Sequence, residues 1–105
     1  MVLDVSKITG IGNYERQTES GSTSDQPGRE IYLKNGKAFL ILNKNTIEVR
    51  CDARLIDNLK EKYESVMDSR YFGRGGIEIV LAGKQFTYVE LADLVRLSYQ
   101  LTIAP

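Results

Sequence analysis

The chain contains no histidine and no tryptophan, and one cysteine in 105 residues. Without histidine, neither a Ser-His-Asp nor a Cys-His arrangement can form within one chain. The commonest general base and transition-metal ligand is missing with it. A single cysteine, Cys51, rules out an intrachain disulfide and suits a reducing compartment. No apolar run approaches the roughly 20 residues that span a bilayer. The N-terminal MVLDVSKITG lacks the apolar core and small-residue cleavage site of a secretory signal. These shortages lead to the expectation of a cytoplasmic, non-enzymatic protein with no metal, no cofactor and no membrane attachment.

An excess of charge is missing too. Fourteen basic residues face 14 acidic ones. The balance holds in each half, with six of each sign in residues 1–49 and eight of each in 50–105. Duplex DNA binding rests on many Lys and Arg contacts to phosphate, so a nucleic-acid partner would have to be met by a local patch. At 42% hydrophobic residues, the chain can bury a core as one domain, residues 1–105, without a disulfide or metal staple.

The hydrophobic pattern orders the rest. Spacing of Val2, Leu3, Val5 and Ile8 predicts a short helix over residues 2–9. The polar stretch 13–29, rich in Ser, Gly and Asp, reads as a mobile loop with room for a short strand near 14–17. Residues 31–34 alternate with period two, and Asn35-Gly36 then marks a hairpin. Its partner, 37–42, is apolar on both faces and reads as a central strand. Residues 46–51 alternate again, with Ile47, Val49 and Cys51 inward and Glu48 and Arg50 outward, completing a three-stranded meander. Asp52 is the expected N-cap of a helix to about Glu64. After a connector over 65–75, a strand covers 76–81, with Ile77, Ile79 and Leu81 on one side and Glu78 and Val80 on the other. Thr87 and Glu90 form a capping box that opens the last helix. The order helix, meander, helix, strand, helix is that of an α+β domain, an antiparallel sheet with helices packed on one face.

Segments from Gly36 onward resemble a known family. GKAFLIL, IEVRCDARLIDNLKEKY, GIEIVL and ELADLVRLSYQL are similar, in order and spacing, to the MmcQ/YjbR-like family of small bacterial proteins over residues 36–103. The resemblance implies an α+β fold in a YjbR-like double-wing arrangement, and a DNA-binding label that is itself a fold-level inference. The chain departs from the family in its missing aromatic: Gly75-Gly76 stand where many members carry His-Trp or a similar Trp.

Four candidate chemistries arise. Cys51 sits near a helix start, which favours a reactive thiolate, but its inward phase favours a core thiol. Asp57, Glu61, Glu64 and Asp68 would lie near one helix face, where a cation or solvent can face them. Gly10-x-Gly12 lacks the strand, third glycine and Lys-Ser/Thr of a phosphate loop and reads as a turn. The fourth is the segment SRYFGRGG at 69–76. It gathers Arg70, Tyr71, Phe72 and Arg74 beside glycines, with Arg50, Arg54 and Lys84 expected nearby. Arginine pairs with phosphate and an aromatic ring stacks on a base, so the 70–76 loop is the candidate nucleic-acid or anion site. Against that stands the reading in which Tyr71 and Phe72 plug into the core. The alternative function is a protein-interaction or self-association module built on an exposed sheet edge.

Overall fold

The structure, a computed structural model, describes residues 3–19 and 28–104. The Asn35-Gly36 hairpin forms as the sequence predicts, both residues taking positive φ (53° and 80°) as a type I′ turn requires. It joins β2 (Arg29–Lys34) to β3 (Lys37–Leu42). Two further strands extend this hairpin into a four-stranded meander, β1 (Glu15–Glu19) on one side and β4 (Thr46–Arg50) on the other. Helix α1 (Ala53–Lys62) follows, then β5 (Val66–Ser69), β6 (Gly73–Val80) and helix α2 (Tyr88–Ile103). The sheet order is β1-β2-β3-β4-β6-β5, and every neighbouring pair is antiparallel. The α+β class, with one antiparallel sheet and two helices, is therefore as expected. Neither helix is long and apolar enough to cross a membrane.

Several local expectations change. The N-terminal helix is a single 3-10 turn, Val5–Lys7, capped by Asp4. The short strand expected near 14–17 is present and runs further, as β1 at Glu15–Glu19, which is fully exposed yet pairs with β2 along its length. Residues 20–27 of that stretch lie outside the described residues. The 65–75 connector holds a whole strand, β5, and the first residues of β6. Its alternation is only four residues long and interrupted by Asp68, too short for a period to register.

The apolar character of β3 has a structural cause. Tyr32 of β2 lies opposite Leu40, but its neighbour Leu33 lies opposite Ala38. Phe39 is thus the extra residue of a β-bulge, and Phe39 and Leu40 both enter the helix-side core. Ala38 and Ile41 instead join Ile31 and Leu33 in a second cluster on the opposite face. Ser98 of α2 spans the irregularity. Its hydroxyl donates to the Phe39 carbonyl (2.5 Å) and accepts from the Arg50 amide (2.8 Å). The helix-side core is built on Phe39, Leu40, Ile47, Val49, Ile77 and Ile79, closed by Ile56 of α1 and by Leu91 and Val95 of α2. The capping boundaries are as read from sequence: Asp52 accepts from the Leu55 amide, and Thr87 and Glu90 complete a reciprocal capping box.

A candidate binding surface on the helix-free face

Both helices lie on one side of the sheet. Among the described residues, the other side has a lid of only a few residues. Across its centre the register sets Ile41 opposite Glu48, Glu48 opposite Glu78, and Glu78 opposite Met67. Two carboxylates therefore stand side by side, each only 1% exposed. Like charges directly opposite in a sheet repel, and a buried carboxylate needs partners. The 69–72 segment, with Asn43 and Thr46, supplies them. Glu48 accepts hydrogen bonds from the Ser69 hydroxyl (2.8 Å), the Tyr71 amide (2.9 Å) and the Asn43 side chain (2.8 Å). Glu78 accepts two from Arg70 (3.0 and 2.7 Å) and one from the Thr46 hydroxyl (2.7 Å). Ser69 also receives the Phe72 amide at 2.8 Å, which ties the lid to itself.

Phe72 packs onto the apolar cluster of Ile31, Leu33, Ala38 and Ile41. Arg50 stacks over its ring, 4.9 Å from the centroid, while its Nε donates to the Ala38 carbonyl (2.7 Å). Tyr71 meets Phe72 edge-on at 5.0 Å and remains 42% exposed. Arg29 lies 5.3 Å from the Tyr71 centroid and pairs through Nε with Glu19 at 2.8 Å. The two rings thus divide the readings weighed from sequence: Phe72 is a plug and Tyr71 is a surface ring.

The candidate residues fall into two groups. Arg50, Arg70, Tyr71 and Phe72 converge on this face. Lys84 does not; it follows β6 at the end opposite the lid, in left-handed conformation after a 3-10 turn. The eight residues of β6 between them span about 25 Å. Arg54 is exposed in the first turn of α1, in the helix layer. Arg74 is exposed on β6, directly beside the lid. Sequence reading missed Arg29, Ser69, Glu48 and Glu78, the last two because their alternation marked them only as outward-facing.

The remaining candidates are placed in the frame of the fold. Cys51 is buried, and burial, with the charge of Asp52 adding to it, pushes its thiol up to about 11. That opposes nucleophilic use. The proposed acidic helix face does not form: α1 ends at Lys62, and Asp68 sits on β5, paired with Lys60 at 2.9 Å. Among the described residues no group of three His, Cys, Asp or Glu side chains could hold a metal ion. Gly10 turns the chain at φ 86°, and a Cβ on Gly12 would lie 2.9 Å from the Tyr99 hydroxyl. Both glycines thus have packing roles.

Burial opposes ionisation of Glu78, but hydrogen bonds from Arg70 and Thr46 and the charge of Arg70 outweigh it and hold its carboxyl below the usual range. A carboxylate with a depressed folded pKa stabilises the protein above its unfolded value, here 4.5, and loses that contribution as pH falls through the folded value. Unfolding free energy is therefore expected to fall as pH is lowered from about 4.5 through the folded value. In Arg70→Met the drop should be shallower, because Glu78 loses the partner that lowers its pKa. Arg70 is 74% exposed, so solvent screening limits the pair to about 1 kcal/mol. Urea titrations across this range measure both; parallel pH profiles would show that Arg70 is not what holds Glu78 ionised.

No family model matches the chain, and no curated protein or solved structure is significantly similar to it.

Proposed function

We propose that the protein is a non-enzymatic binding domain whose helix-free face takes single-stranded nucleic acid. The observation that carries this reading is the half-exposed ring of Tyr71, with Arg29 over it and Arg50 over the adjoining Phe72. Stacking on an aromatic ring contributes about 1–3 kcal/mol per base and tolerates any sequence. Arginine side chains around the ring can meet the flanking phosphates. The compensation of Arg70 by Glu78 and of Arg29 by Glu19 keeps the local field small. That weighs against duplex binding, which depends on many uncompensated cations, and in favour of stacking. The resemblance of residues 36–103 to the MmcQ/YjbR-like family, with its DNA-binding label, points the same way. Self-association by edge pairing has less support. Across a two-fold pair of β1 strands centred on Gln17, Glu15 would face Glu19, and like charges directly opposite destabilise a sheet.

The test is a fluorescence-anisotropy titration with short single-stranded and duplex oligonucleotides at two salt concentrations. Single strands are expected to bind more tightly than duplex. Tyr71→Ala should weaken binding about tenfold, the equivalent of one lost stacking contact. Arg74→Ala should weaken it by less and reduce its salt dependence. Arg70 is unsuited to this test, because its loss also strips Glu78 of a partner. Equal affinity of wild type and Tyr71→Ala would remove the proposal.

A further inference from the structure

The helix layer is narrower than the sheet. Six strands at about 4.8 Å separation make a sheet roughly 24 Å across, whereas two packed helices cover about 20 Å at most. Helix α2 lies on β3 and β4, and α1 lies on β5 and β6. Among the described residues, the helix-side surface of β1 and the outer part of β2 faces the 3-10 segment at Val5–Lys7. Between that segment and the strands is an open cleft of about 830 Å³, within the range of small-ligand pockets.

Its lining has a definite chemistry. Tyr14 and Tyr32 stand in it with ring centroids 5.6 Å apart, tilted by 54°. Leu3 and Leu42 extend the apolar wall, and Arg16 and Lys44 line the same space. The register places Arg16 directly opposite Tyr32. Two carboxylates also line the cavity, but both are engaged. Asp4 accepts from the Ser6 amide (3.1 Å) and hydroxyl (2.6 Å), and Glu30 accepts from the Tyr32 hydroxyl (2.7 Å). Each carboxylate therefore already has a hydroxyl donor. A ligand entering here meets the half-buried Tyr14 ring beside the largely buried Tyr32, with Arg16, Arg29 and Lys44 outnumbering Asp4 and Glu30 among the charged residues.

We infer that this cavity is a second binding site, for a small aromatic anion. Its ring packs on Tyr14 and Tyr32, and its carboxylate or sulfonate meets Arg16 and Lys44. The site is on the opposite side of the sheet from Tyr71, with Arg29 at the boundary between the two.

The probe is 8-anilinonaphthalene-1-sulfonate, with the uncharged N-phenyl-1-naphthylamine beside it, titrated against the full chain and followed by fluorescence and by amide NMR shifts. The sulfonate is expected to bind one-to-one and to shift amides in β1, in β2 and at 42–44. The uncharged probe should bind about tenfold more weakly, as should the sulfonate to Arg16→Ala/Lys44→Ala, the scale of a lost charged hydrogen bond. Well-dispersed amide spectra of each variant exclude loss of fold as the cause. The apolar groove between the helices, lined by Cys51, Leu55, Leu97 and Leu101, is the competing site. Leu97→Ser/Leu101→Ser should leave sulfonate binding unchanged. Equal binding of the two probes, full affinity in the Arg16/Lys44 variant, or shifts that map to the interhelical groove would each overturn the inference.

Discussion

Gly76→Ala is expected to destabilise the protein by about 2–3 kcal/mol, the scale of overpacking in a well-filled interior. A Cβ built at Gly76 would stand 2.5 Å from the Val49 carbonyl and 2.8 Å from the Phe72 Cβ. The first is backbone of the paired strand β4 and cannot move aside without breaking the ladder. The second is the base of the ring that covers the apolar cluster on the helix-free face, so the structure must either lift Phe72 or distort β4. Lifting Phe72 would expose Ile31, Leu33, Ala38 and Ile41 and drag Tyr71 with it. Oligonucleotide affinity should then fall together with stability, while binding of the naphthalene sulfonate on the other face is retained. Gly73 is the control. It takes φ 62° with nothing within 4 Å of its missing Cβ, so Gly73→Ala costs only the backbone strain, about 1 kcal/mol. Urea unfolding of both variants gives the comparison; a Gly76→Ala variant as stable as Gly73→Ala would show that the lid does not pack as described.

The role of these glycines was the part of the candidate site least visible in sequence. Beside arginine and aromatic residues, glycine suggests close approach of a ligand to the backbone. Gly76 instead admits Phe72, and Gly73 turns the chain from the lid into β6. The composition is the same in both readings, and only the partner across the gap differs. Element boundaries were readable wherever a local interaction determines them: the Asn35-Gly36 turn, the Asp52 cap and the Thr87 box are each determined by neighbours within four residues. Strand β5 escaped because its pairing with β6 is set by the chain on the far side of a turn.

One signal of the buried carboxylates was present. A strand that is apolar on both faces, as β3 is, implies that both faces of the sheet are covered at that point. Ile41 faces away from the helices, so the residue opposite it must share that cover. Its partner across the ladder is Glu48, whose alternation marks it as outward-facing. Taken together, these facts place a carboxylate under a lid rather than in solvent. The missing step is the face that Ile41 takes, which the bulge at Phe39 in the β2–β3 ladder resets. A bulge has no periodic signature, because its cause is the packing of two adjacent large side chains into one core.

The network around Glu48 leads to the largest expected polar effect. Glu48→Ala removes the acceptor of three donors at once, the Ser69 hydroxyl, the Tyr71 amide and the Asn43 side chain. Each unsatisfied buried donor costs about 1–3 kcal/mol. Asn43 keeps a second acceptor in Thr46 at 3.0 Å, and loss of the Glu48 charge relieves repulsion with Glu78, so the net destabilisation should be about 3–4 kcal/mol. Glu48→Gln separates charge from hydrogen bonding. Its carbonyl oxygen can keep Ser69 and Tyr71, while its amide nitrogen meets Asn43, donor against donor, for a loss of about 1 kcal/mol. The order Ala far worse than Gln therefore identifies acceptor geometry, not charge, as what holds the lid. Hydrogen exchange at the Tyr71 amide supplies the local readout: exchange should accelerate strongly in Glu48→Ala and modestly in Glu48→Gln. If urea unfolding places Glu48→Ala within 1 kcal/mol of wild type, or the Tyr71 amide keeps its protection, the lid is held by Phe72 packing alone and the carboxylates are passengers beneath it.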